Sequence, residues 1–258
     1  MTKLQEFYIY GRRPVLEALE AGAPLEKIYI RYGTQGKELT QIRVLAKRRK
    51  IPCVQMDRRK FATLQRQVVP ADSPGKAQGV IALRLPAIQW LSIGELIDQA
   101  YAATDTPLLV ALDHVTDPQN LGAILRTCEA AGVDGVILSQ RSTAPITPVV
   151  WKTSAGAVEH LRLARVQHLV QALRDCKLAD FQILGTADTG DSVYTDVDLT
   201  LPTVLVLGSE HSGIQPPVLA ECDAVVRIPL AGRVSSLNVS VACGILVFEA
   251  VRQRKEKR

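Results

Sequence analysis

The stretch PLLVALDHVTDPQNLGAILRTCEAAGVDGVILSQ, residues 107–140, decides the fold. It opens on a short, nearly continuous apolar run, PLLVALDHV, of the length of a buried strand. Leu121, Ile124, Leu125 and Cys128 then recur at the spacing of one helical face, with Asn120 expected to cap the helix. A second apolar run, DGVILSQ, follows at once. Strands of this kind, alternating with helices, are buried on both faces and predict a parallel or mostly parallel sheet.

The same alternation continues downstream. HLRLARV (160–166), FQILGTA (181–187), TVLVLG (203–208) and AVVRIPL (224–230) read as further strands, with helices expected at 148–158, 167–179, 215–222 and 239–254. Residues 107–258 are therefore read as an α/β domain. Upstream, 87–106 holds one expected helix around LSIGELIDQAYAA and then the polar Thr104-Asp105-Thr106-Pro107, which suits a linker between domains. Residues 1–86 form a smaller α/β pattern. VLEALEAG and ELTQIRVLAKRRK read as helices, EKIYIRYG, IPCVQMD and QGVIALRL as strands, and Arg58-Arg59-Lys60 opens a further basic helix.

Charge separates the two regions more sharply than hydropathy does. The first 86 residues carry 17 basic and 7 acidic side chains, net +10, whereas the remaining 172 carry 14 and 19, net −5. A basic module joined to a mildly acidic one suggests that the first attracts a polyanion and the second does something else, against the plainer reading of a solvated basic face. Clusters at Lys47–Lys50 and Arg58–Lys60 sit at helix ends, where they could meet phosphates. The start, MTKLQEFYIYGRR, has no apolar stretch of signal length, and no run approaches the ~20 residues of a membrane span. A cytoplasmic protein is expected. Cys53, Cys128, Cys176, Cys222 and Cys243 lie far apart and form no Cys-x-x-Cys pair, and the four histidines lack ligand spacing, so neither disulfides nor a metal is expected.

In open α/β sheets ligands bind beyond the carboxyl ends of the strands, and three loops there stand out. The first, Thr116–Asn120, leads into the helix that carries Arg126 on its polar face; a lone arginine there is more often solvated than catalytic. The second, Ser209–Ile214, is flanked by Gly208 and contains Gly213, two positions where backbone can approach a ligand closely. Ile214-Gln215 stand where a phosphate loop needs Lys and Ser or Thr, and no Gly-x-Ser-x-Gly elbow makes Ser209 or Ser212 a nucleophile. The third, Ala231–Asn238, precedes the last helix, where Ser and Asn are expected as caps. Singly each loop reads as structural; together they read as one site.

Three ordered segments, DPQNLGAILRT (117–127), VLGSEHSGI (206–214) and IPLAGRVSSLNVSVA (228–242), resemble the motifs of the SpoU family of the SPOUT methyltransferase superfamily. GRRPVLEAL (11–19) and QGVIAL (78–83) resemble the small RNA-binding domain that precedes many members. The resemblance implies a C-terminal trefoil knot, contrary to the general rule that chains avoid threading loops, with S-adenosylmethionine held in it and a homodimer completing the site. It implies cofactor contacts from Leu207, Gly208, Ile228, Leu237 and Asn238, and a catalytic Arg126 supported by Asn120, Glu210, Ser236 and Asn238. The substrate it implies is a ribose 2′-hydroxyl of RNA, with 23S ribosomal RNA ahead of tRNA and a guanosine as the nucleotide. Gln119 stands where the family often has histidine, and His211-Ser212 fall where it varies. A non-catalytic RNA-binding protein of the same fold is the alternative from outside the enzymes.

Overall fold

The computed structural model describes residues 7–70, 73, 77–84, 88–209 and 212–257, and the chain divides into two compact units, Met1–Ala87 and Ile88–Arg258. The first unit runs β1 (Tyr8–Tyr10), α1 (Arg12–Glu20), β2 (Leu25–Arg31), α2 (Lys37–Arg48), β3 (Cys53–Met56), α3 (Arg58–Val68) and β4 (Val80–Arg84). Its sheet has the order β1-β4-β2-β3, with β2 and β3 parallel and the other pairs antiparallel. Period-two alternation divides the strands between two cores. Ile28 and Ile30 of β2 and Val80 and Ala82 of β4 pack with α1 and α2, whereas Tyr29 and Ile81 turn toward Phe61 and Val68 of α3.

One member of the basic cluster at 47–50 has a structural task. Arg49 donates to the carbonyls of Leu19, Gly22 and Ala23 at 3.0, 2.9 and 2.8 Å, closing the C-terminal end of α1. Lys47, Arg48 and Lys50 remain exposed.

The second unit begins with β5 (Trp90–Leu91), α4 (Ile93–Ala103), β6 (Leu108–Leu112), α5 (Pro118–Ala131), β7 (Gly135–Ser139), α6 (Pro148–Thr153) and β8 (Leu163–Val166). It continues with α7 (Leu169–Leu178), β9 (Gln182–Thr186), β10 (Ser192–Val193), β11 (Thr203–Leu207), α8 (Pro216–Leu219), β12 (Ala224–Arg227) and α9 (Val239–Glu256). Its eight strands form one sheet in the order β10-β12-β9-β11-β6-β7-β8-β5, and every described pairing is parallel. All five residues of β6, β7 and β11 are buried, as strands covered on both faces must be. Leu109, Ala111, Ile137, Val204 and Val206 share a core with α4 and α7. α5 and α9 pack against each other through Cys128 and Cys243, both fully buried. Their thiol–thiol hydrogen bond and burial push the Cys128 thiol far above its ordinary range, so it is neutral.

Two expectations are corrected here. The stretch 87–106, expected as a linker, belongs to the second unit from Ile88 onward. β5 pairs with β8, and Leu91, Leu96, Ile97 and Ala100 belong to the core of the second unit; Ser92 and Glu95 form a capping box that starts α4. The polar run at 104–106 is only the turn into β6. The cap of α5 is Asp117 rather than Asn120, its side chain accepting from the Gln119 amide at 2.9 Å. Pro118 explains the shift: it has no amide proton to lose and its fixed φ suits the first helical position, so the residue before it takes the cap.

At the far end of the sheet Arg254 of α9 donates to the carbonyls of Thr106, Leu199 and Leu201 at 2.6, 2.9 and 3.0 Å. Burial lowers its pKa, an effect that nearby Asp134 opposes. The last helix is thereby tied to the amino ends of β6 and β11. Among the described residues no helix is long and apolar enough to cross a membrane.

Substituting Ile137, whose side chain is 0% exposed in β7, by alanine should lower the unfolding free energy by about 2–5 kcal/mol in urea denaturation. Leu178→Ala, at a position 86% exposed, should change it by no more than about 0.5 kcal/mol. Equal effects would show that the sheet is not the stabilising core.

Candidate active site

The carboxyl ends of β9, β11 and β12 open into a cavity of about 550 Å³. It lies where the strand order reverses. The chain leaves β9, returns as β11 between β9 and β6, and then passes to the opposite side of β9 as β12. Such a reversal leaves a crevice between loops that depart in different directions.

The wall after β11 is made by backbone folded on backbone. A Cβ built on Gly208 would stand 2.2 Å from the carbonyl carbon of Gly213 and 2.3 Å from the amide nitrogen of Ile214, so only glycine fits. Ser209 and Gly213 exchange amide-to-carbonyl hydrogen bonds, each 3.0 Å, and Gly213 has φ +64°, in the left-handed region. The side chains complete the turn: Ser209 and Ser212 hydroxyls lie 3.0 Å apart, and the Gln215 amide group donates to Ser212 Oγ at 3.0 Å. Below them Asp113, buried at the end of β6, accepts from the Gln215 backbone amide at 2.7 Å and meets His114 Nδ1 at 2.6 Å. A buried carboxylate thus fixes the exit of the loop, and both of its oxygens are engaged.

Of the residues singled out in the sequence, Leu207, Gly208, Ile228, Ser236 and Leu237 line the cavity. Asn238 caps α9, its Oδ1 accepting from the Ser240 amide at 2.9 Å, while its Nδ2 donates to Asn120 Oδ1 at 3.0 Å. That bond joins the first and third loops. Arg126 is not brought to the cavity of its own chain; it is exposed on α5 and has no hydrogen-bond or ion-pair partner among the described residues. Glu210 lies outside the described residues.

Sequence reasoning missed one wall. Thr186, the last residue of β9, and Ala187 and Asp188 after it line the cavity, and Thr186 Oγ1 donates to the Val206 carbonyl at 3.0 Å. The signal was available: FQILGTA is itself a parallel strand, and its carboxyl-end loop merited the same inspection as the other three. Among the described residues the lining combines apolar side chains with six hydroxyls and one carboxylate, a mixture suited to a small-molecule or cofactor site. Among the described residues no group of three or more His, Cys, Asp or Glu is placed to hold a metal ion.

A parallel sheet with a cofactor-sized cavity at its point of reversal defines an α/β protein with the architecture of nucleotide and cofactor binders. Residues 107–248 match the model of the SpoU rRNA methylase family, and residues 8–83 match the substrate-binding domain of RNA 2′-O ribose methyltransferases. The chain belongs to the SpoU rRNA methylase family. Among its relatives is a protein of Mycolicibacterium gilvum named an uncharacterized tRNA/rRNA methyltransferase, 38% identical over 96% of this chain and 76% of the relative. Among solved structures, the SpoU methyltransferase AviRb of Streptomyces viridochromogenes in complex with AdoMet superposes with a TM-score of 0.61 at 27% identity, over 98% of this chain and 91% of that one. An AdoMet-bound rRNA methyltransferase of Sinorhizobium meliloti gives 0.60 at 29% identity, over 95% and 87%.

Gly208→Ala should leave far-ultraviolet circular dichroism close to wild type but weaken S-adenosylmethionine binding at least tenfold by calorimetry, about 1.4 kcal/mol. The obstructing atoms are backbone and cannot yield as a side chain would. Unchanged affinity would remove this loop from the cofactor site.

Proposed function

We propose that the protein transfers the methyl group of S-adenosylmethionine to a ribose 2′-hydroxyl of RNA, a guanosine of 23S ribosomal RNA being the target. The observation that carries this reading is the convergence of Leu207, Gly208, Ile228, Ser236 and Leu237 on one cavity, with Asn238 beside them bonded to Asn120. At about 550 Å³ the cavity falls within the ~300–1,000 Å³ of small-ligand sites. Leu207, Ile228 and Leu237 offer apolar contact, and the glycine at 208 lets backbone groups approach the cofactor directly.

When bound, S-adenosylmethionine supplies an electrophilic methyl group on a sulfonium, so the protein has to align the 2′-oxygen and manage its proton. Arg126 takes the second task. A guanidinium holds its proton too tightly to be a good base at neutral pH. Either it loses a proton transiently beside an RNA phosphate, or it stays charged and stabilises the developing oxyanion while water or a phosphate accepts the proton. Asn120, Ser236 and Asn238 hold the surroundings of the reacting oxygen, and the motif resemblance adds Glu210 as a supporting residue. Because Arg126 stands outside the cavity of its own chain, a homodimer completes the site, each copy lending its arginine to the other. Exposed Val241 and Phe248 on α9, 51% and 49% exposed, supply an apolar face of the kind two copies would bury.

The basic first unit grips the RNA. Arg58, Arg59 and Lys60 occupy the first turn of α3, the positive end of the helix dipole, where cations disfavour the helix. Their placement is therefore not explained by helix stability, and it suits phosphate contact. The unit's match to a substrate-binding domain supports the same assignment.

The deciding experiment incubates the protein with labelled S-adenosylmethionine and separate pools of unmodified 23S ribosomal RNA and tRNA, then locates 2′-O-methyl groups by resistance to alkaline cleavage. One labelled ribose in 23S ribosomal RNA is expected. Label in tRNA alone would overturn the substrate, and cofactor binding without transfer to either pool would favour a non-catalytic RNA-binding protein. Arg126→Ala should lower kcat by about 100-fold or more. A shifted pH profile in Arg126→Lys favours the base role, and near-wild-type turnover in Arg126→Ala refutes both roles.

A further inference from the structure

A second cavity, of about 640 Å³, lies within the first unit between the loop after β2, the start of α2 and β3. Its lining includes Tyr32, a large ring that is 67% exposed and contributes nothing to the core. The backbone beneath that ring is fixed on several sides. The Tyr32 amide donates to the Met56 carbonyl at 2.8 Å, the Arg31 amide to the Gly79 carbonyl at 2.9 Å, and the Thr34 amide to the Arg31 carbonyl at 3.1 Å. The last bond closes a four-residue turn whose third residue, Gly33, has φ +78°, as a type II turn requires. A free aromatic face on a fixed backbone is preorganised for stacking, because little backbone entropy is lost when something lies against it.

The rest of the lining is suited to a nucleotide. Arg43 reaches the cavity from the exposed side of α2, whose Leu39, Ile42 and Ala46 are buried, and it has no ion pair or hydrogen bond among the described residues. Gln35 and Gln55 bring amides that both donate and accept, Thr34 and Thr40 bring hydroxyls, and among the described residues the lining holds no acidic side chain. The 17 basic and 7 acidic side chains of residues 1–86 add a long-range attraction for polyanions.

We infer that this cleft holds one unpaired nucleotide of the RNA, its base stacked on Tyr32, its edge hydrogen-bonded by Gln35 and Gln55, and its phosphate drawn to Arg43. The inference rests on RNA being the substrate and adds where, and in what form, the RNA is read. Paired bases are already stacked on both faces and cannot use Tyr32, so the cleft selects a loop, bulge or single-stranded end.

The test uses the full-length protein and two probes, a short single-stranded RNA of mixed sequence and the same sequence as a duplex, followed by fluorescence anisotropy. Tyr32→Ala should weaken single-strand binding by about fivefold to 100-fold and leave duplex binding within about twofold. Tyr32→Phe should retain the wild-type single-strand affinity, since the stacking face survives. Arg43→Ala should weaken binding and reduce the salt slope by about one. Single-strand affinity within about twofold of wild type in Tyr32→Ala would overturn the inference, as would equal losses on single strand and duplex, or a loss in Tyr32→Phe as large as in Tyr32→Ala. Thermal melting guards against a folding artefact. Methyl transfer to 23S ribosomal RNA separates this inference from the preceding one. Tyr32→Ala should raise KM for RNA with kcat unchanged. A wild-type protein that transfers no methyl group, yet loses single-strand affinity in Tyr32→Ala, would sink the transfer reaction and leave the cleft standing.

Discussion

The close approach of backbone to backbone at Gly208 is the constraint on which the site depends. β11 lies in the middle of the sheet, paired on both sides, so its carboxyl end cannot shift without disturbing β6 and β9. The chain leaving it turns back so tightly that Gly213 and Ile214 occupy the space of a Cβ at 208. The reciprocal Ser209–Gly213 hydrogen bonds and the Asp113–Gln215 bond then fix both ends of the loop. The rigidity of a central strand is thereby passed to a cavity wall through main-chain geometry. A ligand held by such a wall meets groups that need little ordering when it binds.

Much of the sheet is legible in sequence because burial on both faces leaves no polar alternation to confuse the pattern. β6, β7, β9 and β11 fall inside the apolar runs that announce them. The strands that escape notice are short or lie at an edge. β5 and β10 have two residues each and β1 three, too few for any period to show. The stretch 88–106 reads as a connection because its ends are polar and its strand is a dipeptide, yet Leu96, Ile97 and Ala100 carry a helical stripe that the core uses fully. The misplaced cap of α5 has a local cause. Asn120 is a good capping residue by type, but Pro118 sets the helix start three residues earlier and releases Asn120 to bond across to Asn238.

The site is legible in a different way. Pattern and spacing single out loops, whereas the assignment of individual residues rests on the resemblance of three motifs. No periodicity argument selects Asn120 or Asn238 over other helix-start residues; their mutual hydrogen bond spans 118 positions and exists only in the folded chain. Arg126 shows the limit most clearly, since an exposed arginine without a partner looks the same whether it is solvated or awaits a second subunit. The wall at Thr186–Asp188 has the opposite status. No motif marks it, but the rule that ligands gather at strand carboxyl ends applies to β9 as much as to β11.

Net charge alone would misjudge which cations face RNA. In the second unit Arg174 is paired with Glu221, Arg252 with Glu249 and Glu256, and Arg254 is spent on main-chain carbonyls that close the sheet. In the first unit Arg49 is likewise consumed by the end of α1. The first unit also carries basic side chains that serve no such purpose. Arg43 lines a cleft with no counter-ion among the described residues, and Arg58, Arg59 and Lys60 crowd the end of α3 where the dipole repels them, with Asp57 as cap and an exposed ion pair at 3.9 Å to Lys60 as partial relief. Exposed cations cost a helix end little, and a phosphate backbone laid over this unit would turn that cost into an attraction.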